Sequence, residues 1–79
     1  MDFERDTVHS SAEALQIARV RKASGKPTFP AKVFAKGHAP DKEPVIVPDY
    51  LALGGIINQA IGASHFEFGN AAAEIIWSA

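Results

Sequence analysis

Between Ala12 and Lys22 the apolar positions recur at helical spacing, so that Ala14, Ile17, Ala18 and Arg21 share one face with Leu15 beside it. Ser10 followed by Glu13 has the spacing of a capping box, in which hydroxyl and carboxylate each satisfy a free backbone N–H. A helix is therefore predicted to begin near Ser11. Its last turn carries Arg19, Arg21 and Lys22, which suit the negative end of the dipole; Gly25 supplies the stop and Pro27 bars continuation.

From Thr28 to Val47 the pattern shortens. Ala31 to Lys36 alternates small or apolar positions with Lys32, Phe34 and Lys36, and Val45-Ile46-Val47 is β-branched throughout, which predicts two short strands. The connection from Gly37 to Glu43 is polar and turn-forming, so the pair is expected to be a hairpin with a long tip. Pro30, Pro44 and Pro48 bracket the strands and cannot donate to a ladder, which places these strands at an edge or keeps them short. The plainest role for those prolines is to protect Val45 to Val47 from edge aggregation.

Pro48-Asp49 opens a second helix, with Asp49 as cap or first-turn acid. Tyr50, Leu53, Ile57, Ala60 and Ile61 fall on a side suited to burial, whereas Leu51, Gly55, Asn58 and Gly62 form another, small and partly polar. Gly54 and Gly55 inside a helix cost about 1 kcal/mol each relative to alanine. That cost predicts either a kink at Gly54 or packing that needs a side chain absent, and in both cases a close approach by a neighbouring backbone or a partner. Gly62 is expected to close the helix, and His65-Phe66-Glu67-Phe68 to form a strand before a Gly69-Asn70 turn. The segment from Ala71 to Trp77 admits two readings. Three alanines favour a short helix; Glu74-Ile75-Ile76-Trp77 favours a strand paired with residues 65–68, preferred because Phe66, Phe68, Ile75 and Trp77 would make cross-strand pairs.

Together these elements predict an α+β fold, two helices packed on a small antiparallel sheet of three to four short strands, in one domain over residues 1–79 with 1–8 as a flexible lead-in. A chain of 79 residues without cysteine has no disulfide to support a small core. Association with a partner or a second copy is the expected support, and a homodimer fits it. Asp2, Glu4 and Asp6 stand where a secretory signal would need a basic start and an apolar run. The longest near-apolar stretch, Tyr50 to Ala63, has 14 residues, short of the ~20 that cross a bilayer. A cytoplasmic protein without a membrane span is expected.

Charge changes the picture through its distribution. The net charge is −1, yet residues 14–42 hold seven cations against Asp41, while residues 43–79 carry four acids and no Lys or Arg. Arg19, Arg21, Lys22, Lys26, Lys32 and Lys36 are the expected basic patch, a footprint for phosphate or an acidic protein surface. The plainer alternative is a helix end complementing its dipole beside a lysine-rich edge strand. Leu51, Gly55 and Asn58 are the second candidate surface, a small-residue helix face suited to self-association.

Candidate chemistry is sparse. His65-x-Glu67 has the spacing of a zinc deaminase motif, but its downstream cysteines are missing. His9 adjoins Ser10 and Ser11, yet sequence neighbours seldom face each other as nucleophile and base, and Ser10 is explained as a cap. His38 and Asp41 are two ligands, too few for a metal site, and Gly54-Gly55 lacks the spacing of a nucleotide cradle. No catalysis, cofactor or metal is expected.

In overall character, a compact alanine-rich chain of well under a hundred residues without a catalytic constellation, the protein resembles the small phage-encoded anti-CRISPR proteins. That resemblance implies a non-enzymatic inhibitor in a bacterial cytoplasm, binding a Cas subunit or a CRISPR surveillance complex and blocking target DNA recognition. Two alternatives stand beside it: a small nucleic-acid-binding protein built on the basic patch, and a phage structural or assembly homo-oligomer built on the small-residue helix face.

Overall fold

The computed structural model describes residues 5–64 and 70–77. The described residues form six elements: β1 (Arg5–Val8), α1 (Ser11–Ala23), β2 (Ala31–Ala35), β3 (Val45–Val47), α2 (Tyr50–Ala63) and β4 (Ala73–Ile76). The strands form one antiparallel sheet in the order β1-β4-β2-β3, so the architecture is two helices on a four-stranded sheet, an α+β fold.

Local chemistry sets the helix ends. Ser10 Oγ accepts the Glu13 N–H at 3.1 Å, while Glu13 Oε2 accepts the His9 N–H at 3.0 Å, one residue earlier than the box predicts. At the other end Gly25 adopts φ +70, and the N–H groups of Gly25 and Lys26 donate to the carbonyls of Lys22 and Arg21. This is a Schellman stop, and it uses the left-handed conformation that glycine adopts without a Cβ penalty. Asp49 caps α2 by accepting the Ala52 N–H at 3.0 Å. Gly62 does not close that helix. It lies inside the last turn, and the chain leaves at Ser64, whose hydroxyl donates to the Ile61 carbonyl and accepts the Ala72 N–H. Among the described residues, no helix is long and apolar enough to cross a membrane.

The predicted hairpin is present, with Ala31 opposite Val47 and Val33 opposite Val45. Gly37 turns the chain away from β2 at φ +82. β4 is a strand, as preferred, but its partners differ from those expected. Its two edges are taken by β1, with Val8 opposite Ala73, and by β2, with Ala35 opposite Ala73. The strand expected at residues 65–68, and with it the pairing expected for β4, lies outside the described residues. Arg5–Val8, read from sequence as part of a loose lead-in, is instead an edge strand.

Alternation along the strands turns Val8, Ala31, Val33, Val47, Ala73 and Ile75 into the core, where they meet Ala14 and Ala18 of α1 and Leu53, Ile57 and Ala60 of α2. Trp77 completes this core, fully buried, with its Nε1–H donating to Asp6 Oδ2 at 2.7 Å. The glycines of α2 correct an expectation. Among the described residues a Cβ built on Gly54, Gly55 or Gly62 meets nothing within 4 Å, so the close approach of a neighbouring backbone expected at Gly54 and Gly55 is not seen there. Leu51 is 93% exposed, and Gly55 and Asn58 are exposed with it, on the side of α2 turned away from the sheet.

Candidate functional site

The antiparallel register brings the start of β1, the end of β4, the start of β2 and the end of β3 to one end of the sheet. At that end the C-terminal turn of α1, the loop before β2 and the first residues of α2 enclose an open groove of about 770 Å³. Its apolar lining comes from Ala18, Phe29, Pro48 and the ring of Tyr50; Arg19, Lys22 and Lys26 also line it, with Thr28 and Asp49 as the remaining polar side chains.

Each of these residues is held by its element. Arg19 and Lys22 stand one turn apart on α1, and the Schellman stop carries Lys26 past the helix end into the same wall. Arg19 is positioned by Tyr50, to whose hydroxyl its Nε donates at 2.9 Å, with the guanidinium 5.9 Å from the ring centroid. Phe29 is half-buried and meets Trp77 edge-on, 6.1 Å between centroids and 77° between planes, which ties the groove floor to the core. Asp49 is engaged at the α2 N-terminus, where its Oδ1 accepts the Ala52 N–H. Lys22 and Lys26 are exposed, and no carboxylate holds either of them or Arg19 among the described residues.

The basic patch expected from sequence is therefore divided. Arg19, Lys22 and Lys26 converge on the groove. Arg21 does not: it is 7% exposed, its Nε and Nη2 both donate to the Pro27 carbonyl at 2.9 and 2.6 Å, and its guanidinium lies 5.6 Å from the Trp77 ring centroid. It faces inward because it shares the Ala14–Ala18 stripe of α1. Lys32 is exposed on the outer face of the sheet, since Ala31 and Val33 on either side of it point inward. Lys36 follows the far end of β2, at the opposite end of the sheet from the groove.

The histidines have other partners than those weighed from sequence. His38 stacks on Phe34 at 4.3 Å between centroids and 19° between planes, and its Nε2 lies 3.7 Å from Glu74 Oε1, so it packs back on the sheet rather than towards Asp41. His9 Nδ1 lies 3.7 Å from Glu13 Oε2, beside the capping hydroxyl of Ser10. His65 and Glu67 lie outside the described residues. Among the described residues, no three His, Asp or Glu side chains gather as metal ligands.

Sequence reasoning found the three groove cations because they are neighbours in the chain. It missed Phe29, Pro48 and Tyr50 as groove residues: Pro48 reads as a strand boundary and Tyr50 as part of a helix face, while Phe29 is given no place in the fold. Compared with known proteins, the chain matches no protein-family model, no curated protein and no solved structure.

Proposed function

We propose that this chain is a non-enzymatic binding module that acts by covering a protein surface, with the cationic groove as its working face. One observation carries the reading: Arg19, Lys22 and Lys26 line an apolar recess, and none is held by a carboxylate among the described residues. A cation that serves the fold is anchored as Arg21 is; Lys22 and Lys26 are exposed beside the recess with no carboxylate holding them among the described residues, and Tyr50 holds Arg19 at the same recess, so the three are placed to meet negative charge from outside.

In its narrower form the partner is a bacterial defence complex, and the protein is an anti-CRISPR that occludes a CRISPR surveillance complex. That form draws on the small size of the domain and its segregated charge. The test is expression in a CRISPR-bearing bacterium, reading interference and the proteins recovered on the tagged chain. Lost interference with Cas subunits recovered, both reversed by Lys22→Glu with Lys26→Glu, is the expected result. Intact interference and no recovered Cas subunit overturn the anti-CRISPR form. Identical recovery on the wild-type and double-variant chains overturns the groove as working face.

A nucleic-acid reading has one observation in its favour, the pairing of Phe29 and Tyr50 with three cations in the same recess. Against it, Lys32 and Lys36 lie on the outer sheet face and at the far sheet end, so the cations do not form a continuous track for a phosphate backbone. Loss of binding that steepens between low and moderate salt would support it.

A further inference from the structure

A groove with an apolar floor and a cationic wall is not matched by charge alone. A bare anion such as phosphate could meet Lys22 and Lys26, but it would leave Phe29, Pro48 and the Tyr50 ring in contact with water. The complementary ligand carries negative charge and a large apolar group side by side. Spacing narrows the choice. Arg19 and Lys22 are three residues apart on α1, which puts their Cβ atoms about 5–6 Å apart. Alternate residues of an extended peptide are separated by about 6.6–7 Å and point the same way, while the residue between them points to the opposite side. An extended segment with acids at alternate positions therefore presents carboxylates to the α1 wall and directs the intervening side chains away from it, towards the apolar lining of Phe29, Pro48 and the Tyr50 ring.

The geometry points to a short, extended acidic segment of a partner protein, with an aromatic or large aliphatic residue between two carboxylates, as the ligand of this groove. The carboxylates pair with Arg19 and Lys22, and Lys26 meets a third acid at the turn beyond the helix. Thr28 donates its hydroxyl to the Lys26 carbonyl at 3.0 Å, and Asp49 Oδ1 accepts the Ala52 N–H. Asp49 also disfavours acids at the α2 side, which orients the segment with its charges towards α1.

This inference rests on the groove being the binding site, and the experiment separates the two. The isotope-labelled full chain is titrated by two-dimensional NMR with four probes: a capped pentapeptide alternating glutamate and phenylalanine, the same peptide with glycine for phenylalanine, inorganic phosphate, and a ten-residue oligothymidylate. The expected result is saturable movement of the amides of Lys22, Gly25, Lys26, Thr28 and Tyr50 with the first peptide. Replacing its phenylalanines weakens binding about tenfold or more. Lys22→Glu with Lys26→Glu, at two exposed positions, abolishes the movement while the dispersed spectrum of the folded chain is kept. Equal binding of the glycine peptide overturns the apolar anchor and leaves the groove reading standing. Tighter binding of the oligonucleotide than of either peptide assigns the groove to nucleic acid and overturns the peptide ligand. Groove amides that respond to none of the four probes overturn both.

Discussion

Arg21 shows how a cation is kept in a small interior. Its Nε and Nη2 share one acceptor, the Pro27 carbonyl, and its guanidinium lies against the indole of Trp77. Arg21→Met keeps the aliphatic stem but strands that carbonyl, and the expected loss is about 2–4 kcal/mol in a denaturant titration. Arg21→Lys restores only part of this, because an ammonium does not reproduce the planar fork. Asp6 plays the matching part across the same indole. Asp6→Ala leaves the buried Trp77 N–H without its acceptor and is expected to cost about 1–3 kcal/mol, whereas Asp6→Asn, which keeps an oxygen there, costs less. Thermal melts of the two variants side by side check the difference. A domain of 79 residues has about 4–12 kcal/mol of stability in all, so either loss is a large share of it.

At the scale of elements, α2 carries glycines that its surroundings do not use. A Cβ at Gly54 or Gly55 meets no other group within 4 Å among the described residues, so Gly54→Ala and Gly55→Ala are each expected to stabilise the protein by about 0.5–1 kcal/mol, raising the melting temperature. A fall in melting temperature with either alanine would show that the helix needs its glycines. The sequence expectation ran the other way, because a rule about helix interiors cannot tell which side of a helix faces solvent. Both helices and the β2–β3 hairpin were legible, since Ser10, Gly25, Asp49 and the 37–43 turn act on backbone groups a few residues away. β1 was not legible. Arg5-Asp6-Thr7-Val8 is charged and short, and becomes a strand only because β4, more than sixty residues later, offers it a ladder. The same limit applied to the groove: Arg19, Lys22 and Lys26 stood out as a local cluster, while Phe29 and Tyr50 reach it only through tertiary packing.

On the scale of the whole molecule, the groove and the core are built from different residues of the same elements. Lys22 and Lys26 are exposed, whereas Ala14, Ala18 and Arg21 hold α1 in place. Reversing both lysines to glutamate is therefore expected to cost no more than about 1–2 kcal/mol in all, mostly at Lys22 where the positive charge complements the end of α1, which equilibrium unfolding checks, while removing the positive wall of the recess. Cutting the chain before Ala73 has the opposite outcome. It removes Ile75 and Trp77 from the core and the partner of both β1 and β2, and circular dichroism is expected to show loss of the cooperative melt.

The strand at the middle of the sheet is also the one translated after the other three. While Ala73–Ile76 remain inside the ribosome, β1 has nothing to pair with and β2 keeps one bare edge, although all that flanks them has been made. Folding of this protein is thus tied to the emergence of that segment rather than progressing vectorially with synthesis, and a stalled ribosome holds a nascent chain with unfinished ladders, exposed to chaperones and proteases.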